Sequence, residues 1–335
     1  MDEAAEASYG TEGLEKYRPA GKIENDVIIG DNGYLFLANG GHRVLEYCSG
    51  VLAPSENSIT DFYQNIADRA QDSARLGANY IHVISPDKQT VLVDQFPFKQ
   101  TAQMGKLFLE RAGNVSRYLL YPTDFLRRSN HQTYQKTDTH MTDAGSIVVT
   151  KAILEAIGDD WISYGDDLEL GLTGNQNWTG DLGSKLTPQV SENRITFVSD
   201  KHDIWYHNNI VGGNNGIVDI RFNKAHDSGR RLLIFGDSFG RDLARFLSFF
   251  YFQTVFFRTP FYHPEIASQI RPTAIITQNV ERYLPSVVSD NNRPSFFMYP
   301  FINNLDYKPS KDFALALSSV LSFGRPPYDK YIAEL

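Results

Sequence analysis

The sequence predicts an α/β fold around a mainly parallel central sheet. Two observations carry this. Short apolar runs of strand length alternate with segments of helical periodicity, the rhythm of strands buried between helices. That rhythm breaks in a middle stretch rich in Gly, Asn and Asp, then resumes from residue 231. No internal repeat, low-complexity block or coiled-coil heptad competes with it.

The elements follow in order. Residues 1–20 read as a flexible tail and residues 21–335 as one domain. DVIIGDNGYLFLAN places two apolar runs around Asp31-Asn32-Gly33, a hairpin signal. Pro54-Ser55 opens a helix on which Ile59, Phe62, Tyr63, Ile66, Ala67, Ala70 and Ala74 fall at helical spacing, and Gly77 suits its end. YIHVIS, residues 80–85, reads as a buried strand closed by Pro86. A helix at about 99–112 and a strand at YLLYP follow. Another helix spans about 143–157 and stops at Gly158. Residues 159–229 form a loop- and β-rich insertion, with short strands in RITFVS and GIVDIRF. RLLIFGD, TVFF and TAIITQN then read as strands, alternating with helices in GRDLARFLSFFY and HPEIASQI. Residues 290–335 are a C-terminal extension.

Composition bounds the function. The chain has 335 residues, 41% hydrophobic and 21% charged, enough to bury a sizeable core. A net charge of −8 without a long basic run argues against nucleic acid. Cys48 is the only cysteine, which excludes an intrachain disulfide and a cysteine-based zinc site. No apolar run approaches the ~20 residues of a membrane span. The N-terminus lacks the apolar centre of a signal peptide. As given, the chain reads as cytoplasmic; as the mature part of a longer chain it fits the periplasm or cell envelope.

RLLIFGDSFGRD, residues 231–242, runs from strand through a tight turn into helix. Such a turn lifts Ser238 to the sheet edge, where amides at the helix start can hold an oxyanion. GDSFG also matches the G-x-S-x-G elbow, a pattern common by chance. Taken alone, Ser238 is either a nucleophile or polar punctuation. A serine nucleophile needs a base, and the base needs an orienting acid. YQKTDTHMTDAG supplies both: Asp138 and His140 sit two residues apart, just before a helix.

One loop carrying acid and histidine, together with GDS, resembles the SGNH hydrolases. The order is informative. Asp138-Thr139-His140 ahead of Gly236-Asp237-Ser238 is similar to the circularly permuted branch, the alginate O-acetyltransferases. VIIGDNGYLFL is similar to that family's early segment, and KTDTHMTDAG to its Asp–His loop. WTGDLGSKL is similar to the segment between its two catalytic blocks. The resemblance covers about residues 26–285. Met141 stands where the family usually has Trp.

The resemblance implies a three-layer α/β/α fold of SGNH/flavodoxin type, circularly permuted. It implies O-acetyl transfer to polysaccharide hydroxyls, with Ser238 as nucleophile, His140 as base and Asp138 as its orienter. Asn279 is implied as an amide donor to the oxyanion. Arg258 replaces a glycine and reads either as a stabiliser of charge or acyl group, or as a strand-end cap. Tyr262 is a third residue at that edge. A membrane O-acyltransferase partner is the implied acyl donor, and no cofactor is expected. Acetylesterase chemistry with the same triad, and a non-catalytic carbohydrate-binding module, are the alternatives.

Trp161, Trp178 and Trp205 all lie in the middle stretch, with Tyr164 and Tyr206. Flat aromatics among Asn, Asp and Gly suit sugar faces, or else anchor long loops. Asp237, Asp143 and Asp181 read as structural: a turn tie, a helix start and a brace. Neither Asp138, His140 and Asp143 nor His202, Asp203 and His207 have HExxH-like spacing, so no metal is expected.

Overall fold

The computed structural model describes residues 9–11, 14, 18–159, 165–199, 204–210, 212–227, 229–305 and 307–322. Strand β1 (Tyr9–Gly10) precedes a small antiparallel sheet of β2 (Ile23–Glu24), β3 (Val27–Ile29) and β4 (Leu35–Leu37). The last two are the expected hairpin. Its turn puts Asn32 and Gly33 at φ 54° and 76°, a region those residues enter at least cost. After α1 (Val44–Cys48) comes α2 (Glu56–Arg75), whose N-cap Ser55 accepts from Ser58 N–H at 3.1 Å. Then follow β5 (Asn79–Ser85), α3 (Lys88–Val91), α4 (Met104–Glu110), β6 (Leu119–Leu120) and α5 (Thr123–Arg127). Helix α6 (Asp143–Ile157) is capped by Thr142 and closed by left-handed Gly158.

Next come α7 (Gly165–Leu170), β7 (Leu172–Trp178), β8 (Val190–Phe197), β9 (Ile204–His207) and β10 (Val218–Phe222). The chain then alternates through β11 (Arg231–Gly236), α8 (Ser238–Leu247), β12 (Gln253–Arg258), α9 (Pro264–Ile270) and β13 (Ala274–Val280). Helices α10 (Tyr299–Ile302) and α11 (Lys311–Leu321) complete the described fold.

The central sheet has the order β6-β5-β13-β11-β12-β10-β9. The first five strands are parallel; β10 and β9 add an antiparallel edge. The parallel strands are buried on both faces, which is why they read as nearly continuous apolar runs. On β11, Leu233 and Phe235 join one core with residues of α2, α4, α9 and α11. Leu232 and Ile234 join the other, with α6 and α8. Three layers result, as the resemblance implies. No helix among the described residues is long and apolar enough to cross a membrane.

The middle stretch divides in two. Strands β7 and β8 pair as a separate ribbon, whereas β9 and β10 extend the main sheet. Within the stretch read as a tail, β1 pairs with β8, and Leu14 is buried in a small core with Val27, Leu35 and Leu182. That small core joins the hairpin to the WTGDLGSKL segment. Strands β11, β12 and β13 end side by side, forming a crevice at the carboxyl edge where α/β sheets bind ligands.

Candidate active site

Ser238 is the first residue of α8, at the end of β11. The turn before it is tight: a Cβ on Gly236 would stand 2.7 Å from Gln278 Oε1. That oxygen accepts from the N–H groups of Asp237 (3.1 Å) and Gly240 (3.0 Å). Asp237 caps the helix through Phe239 N–H (2.9 Å) and ties β13 through Val280 N–H (2.7 Å). The neighbouring amides are thereby spent. Ser238 N–H makes no hydrogen bond among the described residues, which leaves it, at a helix N-terminus, for a developing oxyanion.

His140 Nε2 lies 2.8 Å from Ser238 Oγ, and its Nδ1 lies 2.7 Å from Asp138 Oδ1. An ionised carboxylate only accepts, so Nδ1 carries the proton and Nε2 accepts from the serine hydroxyl. The loop is held from several sides. Glu192 accepts from the N–H groups of Lys136 (2.9 Å) and Thr137 (2.7 Å). Asp181 accepts from Thr139 N–H (2.8 Å) and donates its own N–H to Asp138 Oδ2 (3.1 Å). Gly180 is required there, since a Cβ would meet Thr137 O at 2.4 Å and Asp138 Cβ at 2.5 Å. Buried Lys88 donates to Leu35 O (2.7 Å) and Lys136 O (3.3 Å), joining hairpin to loop. The brace read into Asp181 and the turn tie read into Asp237 are both present. Asp143 starts α6 and accepts from Phe197 N–H at 2.7 Å.

Burial alone pushes the Asp138 carboxyl up, but the hydrogen bond and charge of His140 outweigh it and hold the group well below the usual carboxylate range. Burial pushes the His140 imidazole down; Asp138, Asp242 and Asp181 outweigh that and raise it. Asp242 lies one helical turn beyond Ser238. Burial and its acidic neighbours raise its carboxyl to about 6, against the opposing pull of His140. Burial lowers the Lys88 ammonium to about 8, opposed by Asp138, Glu192 and Asp181.

Two clefts flank the serine turn. One, of about 250 Å³, is lined by Gly236, Asp237, Arg258, Asn279, His42 and Tyr283, with an apolar wall that includes Phe62 and Phe261. The other, of about 460 Å³, is lined by His140, Asp138, Asp242, Trp178, Arg194 and Gln176. Asn279 is buried on β13 with its amide at the first cleft and no side-chain hydrogen bond among the described residues. Arg258 ends β12 directly beside Gly236. Trp178 lines the second cleft, with the Arg194 guanidinium 3.9 Å from its ring centroid.

Other expected residues fall elsewhere. Tyr262 is not at the crevice: it is buried against Phe235, and its hydroxyl donates to Asp72 on α2. The chain turns one residue earlier, so Phe261 faces the cleft instead. Trp205 lines neither cleft. It is 45% exposed on edge strand β9, stacks on His207 and donates to Asp219. Trp161, Tyr164, His202 and Asp203 lie outside the described residues. Sequence reasoning missed His42, Tyr283, Asp242, Arg194 and Gln176. Only Asp242 had a signal, standing four residues after Ser238 on one helix face.

Asp138, His140 and Asp181 have ligand atoms close enough to surround an ion. Their oxygens already accept the hydrogen bonds given above, which favours an orienting network.

No family model and no curated protein matches the chain. Solved structures do. The O-acetyltransferase domain of Pseudomonas putida AlgJ matches with TM-score 0.52 and 13% identity, over 83% of this chain and 99% of that one. A DHHW family protein from Eubacterium siraeum matches with TM-score 0.54 and 13% identity, over 86% and 98%. Bacillus cereus PatB1, solved with a sulfonyl adduct, matches with TM-score 0.51 and 12% identity, over 69% and 92%. The chain has the SGNH-like fold of these proteins. The SGNH-like fold thus agrees with the order of motifs read in the sequence, while identities this low speak for fold alone.

Proposed function

We propose that this protein is an O-acyltransferase of the acetyl-transferring kind, acting on a carbohydrate hydroxyl. One observation carries the proposal: the unbroken hydrogen-bonded chain from Asp138 through His140 to Ser238, with contacts of 2.7 and 2.8 Å. Ser238 Oγ attacks the carbonyl carbon of an activated ester, and its proton passes to His140 Nε2. Ser238 N–H and the Asn279 amide face the oxyanion. His140 returns the proton to the leaving oxygen as its bond to carbon breaks. An acceptor hydroxyl then gives its proton to His140 and attacks the acyl-serine, and Ser238 regains a proton as it leaves. Asp138 holds the imidazole tautomer and stabilises its cation throughout.

The acceptor is proposed as a polysaccharide or oligosaccharide, on the strength of Trp178 with Arg194 and Gln176 beside His140. A membrane O-acyltransferase remains the proposed source of acyl groups. The name of the Pseudomonas putida neighbour, an O-acetyltransferase domain, supports the reading at the level of chemistry.

The test uses an acetyl aryl ester, with and without oligosaccharide acceptors. We expect an acetyl mass increment on Ser238 and acetylated sugar. Ser238→Ala should lower turnover roughly 10⁶-fold, the scale of a lost serine nucleophile. Hydrolysis with no acceptor product would make the protein an esterase. Sugar binding without serine-dependent turnover would make it a binding module.

A further inference from the structure

Arg258 differs from the other arginines near this edge of the sheet. Arg69, Arg282, Arg241 and Arg245 each face a carboxylate: Asp290, Asp87, Asp219 and Asp143. Arg258 faces none among the described residues. Among the described residues its one side-chain hydrogen bond runs from Nη2 to Asn214 Oδ1 at 3.2 Å, and its buried Nε has no partner there. The Asp237 carboxylate at the turn is already occupied by two backbone N–H groups. A partly desolvated guanidinium with no counter-ion is costly, and a bound anion would relieve the cost. Burial depresses its basicity, against the longer-range pull of the Asp237 carboxylate, which forms no ion pair with it.

The chemistry places that anion. This step rests on the acyl-transfer reading. Leaving group and acceptor must both reach His140, so they occupy the cleft with Trp178. The oxyanion occupies Ser238 N–H and Asn279. The remaining substituent on the carbonyl carbon, the acyl chain, is left with the cleft of Arg258. At about 250 Å³ that cleft is larger than the ~150 Å³ cavity that holds a benzene ring. An acetyl methyl leaves most of it empty. Phe62, Phe261, Val287 and Val288 offer apolar wall to methylene groups. Arg258 lies one strand over from Gly236, about 4.8 Å in backbone spacing, so it stands beyond the carbonyl carbon instead of upon it.

We infer that, besides acetyl, the cleft takes a longer acyl group in preference to it: a dicarboxylic half-acid of four or five carbons, its distal carboxylate bound by Arg258. The donor is an activated half-ester or thioester of such an acid. The proton transfers and bond changes are those already written, and the distal carboxylate stays ionised throughout.

Aryl esters of acetate, butyrate and glutaric half-acid test this, with Ser238→Ala as the blank for spontaneous hydrolysis. The glutaryl ester should exceed the uncharged butyryl ester roughly 10–100-fold in kcat/KM, the scale of a charged hydrogen-bonded contact. Arg258→Met should erase that ratio, and Arg258→Lys should restore part of it. In Ser238→Ala, free glutarate should bind measurably in calorimetry and butyrate at least 10-fold more weakly, with Arg258→Met removing the difference. Arg258→Met should melt at the same temperature as wild type or higher, since it removes an unpaired charge. Equal rates for butyryl and glutaryl esters, or a glutaryl preference that survives Arg258→Met, overturns the inference. Serine-dependent turnover of acetate in that case would leave the acyl-transfer reading standing. No serine-dependent turnover of any ester would remove both.

Discussion

The two clefts at Ser238 are built from opposite materials. The Arg258 cleft has a partly apolar wall, a guanidinium that forms no ion pair among the described residues, and an amide with no side-chain hydrogen bond among them. The Trp178 cleft is polar, its charges are mostly paired, and its aromatic face is already backed by Arg194. The difference follows from where each comes from. The first is made by strand ends of the central sheet, so core side chains form its wall. The second is made by the Asp–His loop, α6, α8 and the β7–β8 ribbon, where the core contributes Met141 and the rest of the lining is mainly polar. Under the proposed reaction, the acyl group belongs to the first cleft and its acceptor to the second. Substitutions should respect that division.

Asn279→Ala should have the larger effect, about 10²–10³-fold in kcat, as for loss of one oxyanion donor. Both half-reactions pass through an oxyanion, so ester hydrolysis and transfer to sugar should fall together. Rates on an aryl ester alone and with an oligosaccharide acceptor check this. A loss confined to transfer would move Asn279 to the acceptor side and break the assignment.

Trp178→Ala should do the reverse. Losing a sugar-facing ring should raise the KM for the acceptor roughly 3–10-fold. Acyl-serine formation, followed by the burst of aryl leaving group, should stay as it was. A lowered burst would show that the ring supports His140 instead of an acceptor.

How far the sequence foretold this arrangement depends on the distance over which each residue acts. The buried parallel strands and α2 were legible because periodicity is local, and α2 ends where Ser55 and Gly77 say it should. Ser238, His140 and Asp138 were legible because two short motifs carry them. Their fit across 98 residues was not, because Glu192, Asp181 and Lys88 set it from three other segments. Tyr262 failed by one residue: after a strand end, pattern does not say which of two adjacent aromatics faces the crevice. Trp205 failed because its strand joins the main sheet, whereas the strand of Trp178 joins the ribbon beside His140. Arg258 was legible as a strand-end residue, but its lack of a carboxylate partner among the described residues is a three-dimensional fact.

The smallest effect should come from Asp242→Asn, and it sharpens the electrostatics of the acceptor cleft. The groups that act on His140 are Asp138, Asp242 and Asp181. Asp143 and Arg241 act on Asp242 in turn. The base must be neutral to accept a proton, and its pKa is raised above 6.5, so kcat/KM should fall on the acid side with a midpoint above pH 6.5. Removing the Asp242 charge takes away one raising influence, and the acid limb should move to lower pH. Stability should respond with definite signs. His140 titrates higher folded than unfolded, so its contribution is full below its unfolded pKa and fades as pH rises through the folded one. Asp242 is an acid raised from 3.8 to about 6, so the folded protein loses stability as pH climbs through that window. Asp242→Asn should therefore melt higher than wild type above pH 6 and lose that advantage near pH 4. A pH–rate profile with an unmoved acid limb would mean that water in the cleft screens Asp242 from the imidazole, and that Asp138 and Asp181 set the basicity of His140.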